Sequence, residues 1–125
     1  MIKIGKIELG KIPRIAVSIA DRENNKLIKP AFVDIVEIRV DEFKKTDPLR
    51  VRNVVKIRRK IGLPLILTVR DKEEGGEKEI ADGLKLSIFK ECIPLVNAVD
   101  IELNSPILSE VIKTARKNKL LTLTA

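Results

Sequence analysis

Asp47-Pro-Leu-Arg-Val-Arg-Asn-Val-Val-Lys-Ile-Arg-Arg-Lys-Ile-Gly62 runs directly into Leu63-Pro-Leu-Ile-Leu-Thr-Val69, and this junction decides the fold class. The first part carries Val51, Val54, Val55 and Ile61 on one helical stripe. Asp47-Pro48 reads as an N-cap followed by a first-turn proline, and Gly62 sits where a helix C-cap falls. The second part is apolar on both of its alternating faces, the mark of a strand buried on both sides. A helix followed at once by such a strand is half of a repeating β/α unit.

The same rhythm extends in both directions. Upstream, Phe32-Val-Asp-Ile-Val-Glu-Ile38 and Arg14-Ile-Ala-Val-Ser-Ile19 read as strands, with a polar Asp21–Lys26 segment opening a short helix between them. Downstream, Ala98–Leu103 and Leu120–Thr124 read as strands, with helical patterns over 79–93 and 106–118. Ser105-Pro106 repeats the N-cap and proline signal. At the start, Ile2, Ile4, Ile7 and Leu9 alternate and predict a β-hairpin within residues 1–13. The expected class is α/β, a parallel sheet of β/α units with an N-terminal hairpin, covered on both faces. Periodicity leaves two architectures open, a doubly wound sheet or part of a (β/α) barrel. At 125 residues the chain is read as one domain, 1–125.

Composition excludes whole classes of chemistry. There is no His and one Cys (Cys92), so a Ser-His-Asp triad, a His-ligated metal, an internal disulfide and any multi-Cys metal site are all ruled out within this chain. Three Phe and no Trp or Tyr leave few stacking platforms for single-stranded nucleic acid. The longest charge-free stretch, Ile61 to Val69, is nine residues, too short to span a bilayer. The start lacks the apolar run of a secretory signal, so a cytoplasmic location is expected.

The net charge of +7 arises entirely in the first half. Residues 1–60 hold 16 basic and 8 acidic side chains, and residues 61–125 hold 9 and 10. Arg52, Lys56, Arg59 and Lys60 share a helix face that reads as a solvated surface, with binding of a nucleic-acid backbone as the less favoured alternative. Cys92 falls on an apolar helix face and reads as core. Gly75-Gly76 lacks a following Gly-Lys-Ser/Thr and reads as a turn rather than a phosphate loop.

The polar residues with chemical potential lie at strand C-terminal ends, where both candidate architectures build ligand sites. Alternation turns Glu37, Arg39 and Asp41 to one face. Arg70 ends the next strand, followed by Asp71-Lys-Glu-Glu74, and Asp100 and Glu102 share a face of the one after. Two Arg and several carboxylates so arranged suit a polyhydroxylated ligand, through charge-assisted hydrogen bonds.

These residues also carry a family resemblance. Val33-Asp-Ile-Val-Glu37-Ile-Arg39-Val-Asp41, Leu65-Ile-Leu-Thr-Val-Arg70, Glu73-Glu74-Gly75-Gly76 and Val99-Asp100-Ile-Glu102-Leu103 resemble the successive motifs of type I 3-dehydroquinate dehydratase. Ile15-Ala-Val-Ser18 and the opening hairpin fit its N-terminal pattern. The resemblance implies a (β/α)8 barrel, of which this chain is about the N-terminal half, since a whole one takes about 250 residues. It implies a lyase of the shikimate pathway in aromatic amino acid biosynthesis, converting 3-dehydroquinate to 3-dehydroshikimate through a Lys imine (Schiff base), without metal or other cofactor. It further implies that Ser18, Glu37, Ile38, Arg39 and Arg70 contact substrate, and that Asp41, Glu74, Asp100 and Glu102 support them.

The family's catalytic His would fall at or beside Ala125, and its imine-forming Lys lies on a later strand. The expectation is therefore a truncated or split chain with no catalytic residue of its own, inactive alone. Lys44 and Lys72 are rejected as substitutes, being in polar loops, Lys72 beside Asp71, Glu73 and Glu74. A half-barrel leaves two strand edges open, so a homo-oligomer or a complementary C-terminal half is the expected partner. A non-catalytic binding or assembly protein is the alternative function. The Lys, Glu, Ile and Arg content reads as that of a thermophile.

Overall fold

The computed structural model describes residues 2–124. Ala125, the position set against the family's histidine, lies outside them. The hairpin pairs β1 (Ile2–Ile4) with β2 (Ile7–Leu9) antiparallel. A five-stranded sheet follows: β3 (Ala16–Ile19), β4 (Ile35–Arg39), β5 (Leu65–Thr68), β6 (Ala98–Ile101) and β7 (Leu121–Thr124). All neighbours in it are parallel. Helices α1 (Pro48–Arg59), α2 (Asp82–Cys92) and α3 (Leu108–Lys117) occupy the crossovers from β4 onward.

Strand order settles what periodicity left open. The order is strictly sequential, β3-β4-β5-β6-β7, with no reversal. A doubly wound sheet needs a reversal to place helices on both faces, whereas sequential crossovers of constant hand place them on one. The sheet is thus the progressive winding of a (β/α) barrel.

Alternation along each strand sorts the side chains between two clusters. Val36, Ile38, Leu65, Leu67, Val99 and Ile101 face the helices, where Val51 and Val55 of α1, Ile88, Phe89 and Cys92 of α2 and Val111 and Ala115 of α3 meet them. The opposite face carries Ile35, Ile66 and Ala98 near the strand N-termini, capped by Ile4, Ile7 and Leu9 of the hairpin and by Leu121 and Leu123. Coverage on both faces therefore takes a different form from the one expected. Helices cover one side, and a two-stranded plug covers only the N-terminal floor of the other. Above that floor the inner face of β3 to β6 is polar, and β7 continues it with Leu123 beside Asp100.

Several boundaries move for local reasons. The strand expected from Phe32 begins at Ile35, and Phe32 stands 74% exposed in the preceding loop. The Asp21–Lys26 segment makes only a 3₁₀ turn at Asn25–Leu27, capped by the Asn24 side chain. Arg58 holds this segment in place: its guanidinium donates to Ala20 O (2.7 Å), Glu23 O (2.6 Å) and Asn25 Oδ1 (2.8 Å). Ser105-Pro106 caps a turn, not the helix, since α3 starts at Leu108 with Ile107 at its N-cap. Pro48 does occupy the first turn of α1, and Gly62 closes it at φ +83°.

Candidate functional site

Parallel register brings the polar residues of successive strands side by side. Ser18 of β3 pairs with Glu37 of β4, Arg39 of β4 with Thr68 of β5, and Thr68 with Asp100 of β6. All five point to the inner face, above the apolar floor. Glu37 accepts from Ser18 Oγ (2.5 Å) on one oxygen and from Thr68 Oγ1 (2.6 Å) on the other. Two hydroxyls thus fix the carboxylate plane across three strands, and each carboxylate oxygen keeps acceptor capacity for a further donor.

Arg39 and Asp41 form a two-bond pair, Nε to Oδ1 at 3.0 Å and Nη2 to Oδ2 at 2.8 Å. Asp41 lies in the 3₁₀ turn Val40–Glu42 and is fully buried. It also accepts from the backbone N–H of Arg70 (3.3 Å) and of Glu77 (3.2 Å). Burial pushes its carboxyl up, but the Arg39 hydrogen bonds and the two amides outweigh that and hold it below the usual aspartate value. The same hydrogen bond with Asp41 raises Arg39.

Arg70 follows β5. Its Nη2 lies 2.6 Å from Asp100 Oδ1 and its Nη1 3.5 Å from Glu102 Oε2. Burial lowers the guanidinium pKa, and the Asp100 contact more than reverses it. The turn after Arg70 explains Gly75-Gly76. Gly75 has φ +96°, and a Cβ on Gly76 would sit 2.2 Å from the Arg70 carbonyl oxygen. The backbone folds back onto the residue it must hold, and only glycine allows that approach.

Of the residues singled out in the sequence, Ser18, Glu37, Arg39, Asp41, Arg70, Asp100 and Glu102 come together at the strand ends. Two do not. Ile38 is fully buried among the helix-facing residues because alternation turns it opposite to Glu37 and Arg39; its side chain faces away from the site. Glu74 lies exposed in the 3₁₀ turn Lys72–Glu74.

Two members were missed. Thr68 lies inside an apolar strand with nothing in the sequence to single it out, and only its register beside Arg39 marks it. Lys85 is fully buried in the first turn of α2, with Nζ 2.7 Å from Asp71 Oδ1 and 2.6 Å from Glu102 Oε1. No sequence signal distinguishes it from a surface lysine, because its partners lie 14 and 17 residues away.

The inner face is open to one side, with Arg39 and Arg70 side chains 21% and 14% exposed. A cleft of about 740 Å³ adjoins it, lined by Asp21, Arg22, Asp41, Lys44, Glu77 and Lys78. It borders the Arg39–Asp41 pair but not Glu37 or Arg70. Arg39, Arg70 and Lys85 face six carboxylates: Glu37, Asp41, Glu42, Asp71, Asp100 and Glu102. This acidic balance suits a ligand edge rich in hydroxyl groups, which donate to Glu37 and accept from the two guanidiniums.

The basic helix face is less continuous than its sequence. Arg52 pairs with Glu91 of α2 at 3.5 Å, while Lys56, Arg59 and Lys60 are exposed. Cys92 is buried, and burial pushes its thiol up to about 12. Among the described residues no group of acidic or Cys side chains has metal-binding geometry, and no helix is long and apolar enough to cross a membrane.

Comparison with known proteins gives consistent findings. The family model of type I 3-dehydroquinase matches residues 13–123. A 3-dehydroquinate dehydratase of Thermodesulfovibrio yellowstonii is 37% identical over 100 residues, covering 78% of this chain and 42% of the relative. One from Clostridioides difficile is 31% identical over 133 residues, covering 95% and 52%. Among solved structures, the 3-dehydroquinate dehydratase of Aquifex aeolicus superposes with a TM-score of 0.79 at 33% identity, over 90% of this chain and 52% of that one. A type I enzyme from Clostridium difficile gives 0.88 at 30% identity, over 98% and 54%. The chain spans about half the length of the relatives it matches.

Proposed function

The chain belongs to the type I 3-dehydroquinase family, and we propose that it supplies the substrate-gripping half of a 3-dehydroquinate dehydratase site. The observation that carries this is the side-by-side placement of Ser18, Glu37, Thr68, Arg39 and Arg70 on one polar face above an apolar floor. Glu37, anchored by two hydroxyls, accepts from a ring hydroxyl of 3-dehydroquinate, while Arg39 and Arg70 donate to hydroxyl oxygens. Asp41, Asp100 and Glu102 keep both guanidiniums oriented before substrate arrives, so little ordering is left to the binding step.

The reaction removes water from 3-dehydroquinate to give 3-dehydroshikimate, through an imine between a lysine and the ring ketone. That step needs an unprotonated amine and a group that carries a proton between carbon and the departing hydroxyl. The chain has no histidine. Its buried lysine, Lys85, is held by two carboxylates on the helix side of the sheet. The gripping half therefore binds without eliminating water. The amine and proton carrier come from the complementary portion of the barrel, which pairs along the β3 and β7 edges.

Borohydride reduction followed by mass spectrometry tests this. The chain with 3-dehydroquinate and borohydride is expected to keep its mass. Mixed with the segment of the Thermodesulfovibrio yellowstonii relative that this chain does not match, it is expected to yield a reduced adduct on a lysine of that segment. An adduct on any lysine of this chain alone would overturn the division of labour.

A further inference from the structure

The corner between β5 and α2 contains a fully buried ammonium, supplied from the helix side by α2. Lys85 Nζ bridges Asp71 Oδ1 and Glu102 Oε1 at 2.7 and 2.6 Å. The other oxygen of Glu102 accepts from the Asp71 backbone N–H at 2.7 Å and lies 3.5 Å from Arg70 Nη1. Arg70 Nη2 meets Asp100 at 2.6 Å, and its own backbone N–H is held by Asp41, the partner of Arg39. An unbroken chain of charge-assisted contacts thus runs from Lys85 on the helix side, through Glu102, to both arginines on the inner face.

We propose that Lys85 is a positioning residue. Its ammonium keeps Glu102 ionised and locks the Arg70–Asp71 corner, and so aims the Arg70 guanidinium at the ligand. This rests on reading Arg70 as a ligand contact. Stability alone is a weak reason to bury a lysine, since an apolar residue of similar volume often serves a core as well or better. The geometry supplies the stronger reason. The groups facing Glu102 are Lys85 from α2 and Arg70 and Asp71 from the turn after β5, while Asp100 of β6 meets the other end of the Arg70 guanidinium. Lys85 is the one that contributes positive charge without also serving the ligand face. If that charge is removed, Glu102 sits 1% exposed beside the Asp71 carboxylate that shared Lys85, with Arg70 as its remaining cation. Arg70 is then drawn toward Glu102 and away from Asp100 and the inner face. Lys85 Nζ is fully buried and already engaged by two carboxylates, so a ring ketone does not reach it and it does not serve as the imine-forming amine.

Carbon-13 titration of the Glu102 carboxyl, binding of 3-dehydroquinate and thermal melting, each on the wild-type chain and on Lys85→Met, test the proposal together. Burial raises and the Lys85 hydrogen bond lowers the Glu102 carboxyl, with the lowering dominant in the intact chain. The titration midpoint of Glu102 is expected to move up in Lys85→Met, and 3-dehydroquinate affinity to fall about tenfold, the equivalent of one charge-assisted hydrogen bond. A lysine that merely packs would lower the melting temperature and leave both other readings in place, which would overturn the proposal. If Lys85→Met does not fold, the wild-type chain decides. The Lys85 ammonium protons are expected to be protected from solvent exchange and to show contacts to Glu102; exchange as fast as at Lys44 refutes the placement. If the wild-type chain does not bind 3-dehydroquinate, the binding reading fails by itself. The Glu102 titration still decides whether Lys85 sets that carboxylate.

Discussion

Replacing Asp41 with Asn probes the hub that ties Arg39 to the turn after Arg70. Asp41 is fully buried and takes four hydrogen bonds, two from Arg39 and one each from the N–H groups of Arg70 and Glu77. The Asn amide keeps one acceptor oxygen and turns the other position into a donor that faces donors. At least one bond to the Arg39 guanidinium is lost, together with the ion pair, and a buried backbone N–H loses its acceptor. Charge-assisted bonds contribute about 1.5–3 kcal/mol, and a stranded buried donor costs about 1–3 kcal/mol. Arg39 is 21% exposed and retains Glu42 at 3.6 Å, which offsets part of this. The expected loss is about 3 kcal/mol. For a chain of this length about 1 kcal/mol corresponds to roughly 4 °C, so the melting temperature falls by about 12 °C. Urea unfolding of Asp41→Asn, Arg39→Met and the double variant at pH 7 separates the pair from its surroundings, with a coupling of about 2 kcal/mol expected. The pH dependence has a definite sign. The folded-state pKa of Asp41 lies below its unfolded value, so its contribution is present above about pH 4 and is lost as pH falls through the folded value. The gap between wild type and Asp41→Asn must therefore shrink on acidification. A coupling near zero, or a gap that widens in acid, would refute the reasoning.

Three further outcomes follow from the packing. Gly76→Ala drives a Cβ to within 2.2 Å of the Arg70 carbonyl oxygen and should cost about 2 kcal/mol or more, whereas Gly83→Ala, in open space within α2, should stabilise by about 0.5–1 kcal/mol; paired thermal melts read the contrast. Arg58→Met leaves Ala20 O, Glu23 O and Asn25 Oδ1 without their common donor and should cost about 3 kcal/mol in urea unfolding; a loss under about 1 kcal/mol would contradict that role. Cys92, buried with its thiol pushed up to about 12, should resist iodoacetamide at pH 8 in the folded chain and react once urea unfolds it.

The strands were legible because the sheet is two-sided. Val36, Ile38, Leu65 and Leu67 must be apolar toward the helices, while Glu37, Arg39 and Asp100 must be polar toward the inner face, and both periods survive in the sequence. Strand order was legible from the motif resemblance and not from periodicity. Sequential and reversed orders use the same alternating segments, and only the pairing of Ala16 with Ile35, Val36 with Leu65 and Ile66 with Ala98 tells them apart. Phe32 looks like the start of a strand, but it precedes the Asp34 carboxylate that accepts from Ile15 N–H, and pairing begins only after that contact. Lys85 and Arg58 share another difficulty. Each sits on a helix among other charged residues, and each is buried solely because distant acceptors surround it: Asp71 and Glu102 for one, Ala20 and Glu23 for the other. Long-range partners of this kind leave no periodic trace. Glu74 shows the converse, since a motif can match while the side chain stands exposed on its turn.

The most direct measurement follows backbone and arginine side-chain nitrogen-15 resonances of this chain as 3-dehydroquinate is added. Saturable shifts confined to Ser18, Glu37, Thr68, Arg39 and Arg70, abolished in the Arg39→Met and Arg70→Met variants, are expected. Shifts centred on Lys56, Arg59 and Lys60, or none at the strand ends, would contradict the assignment of the inner face as the substrate-gripping surface.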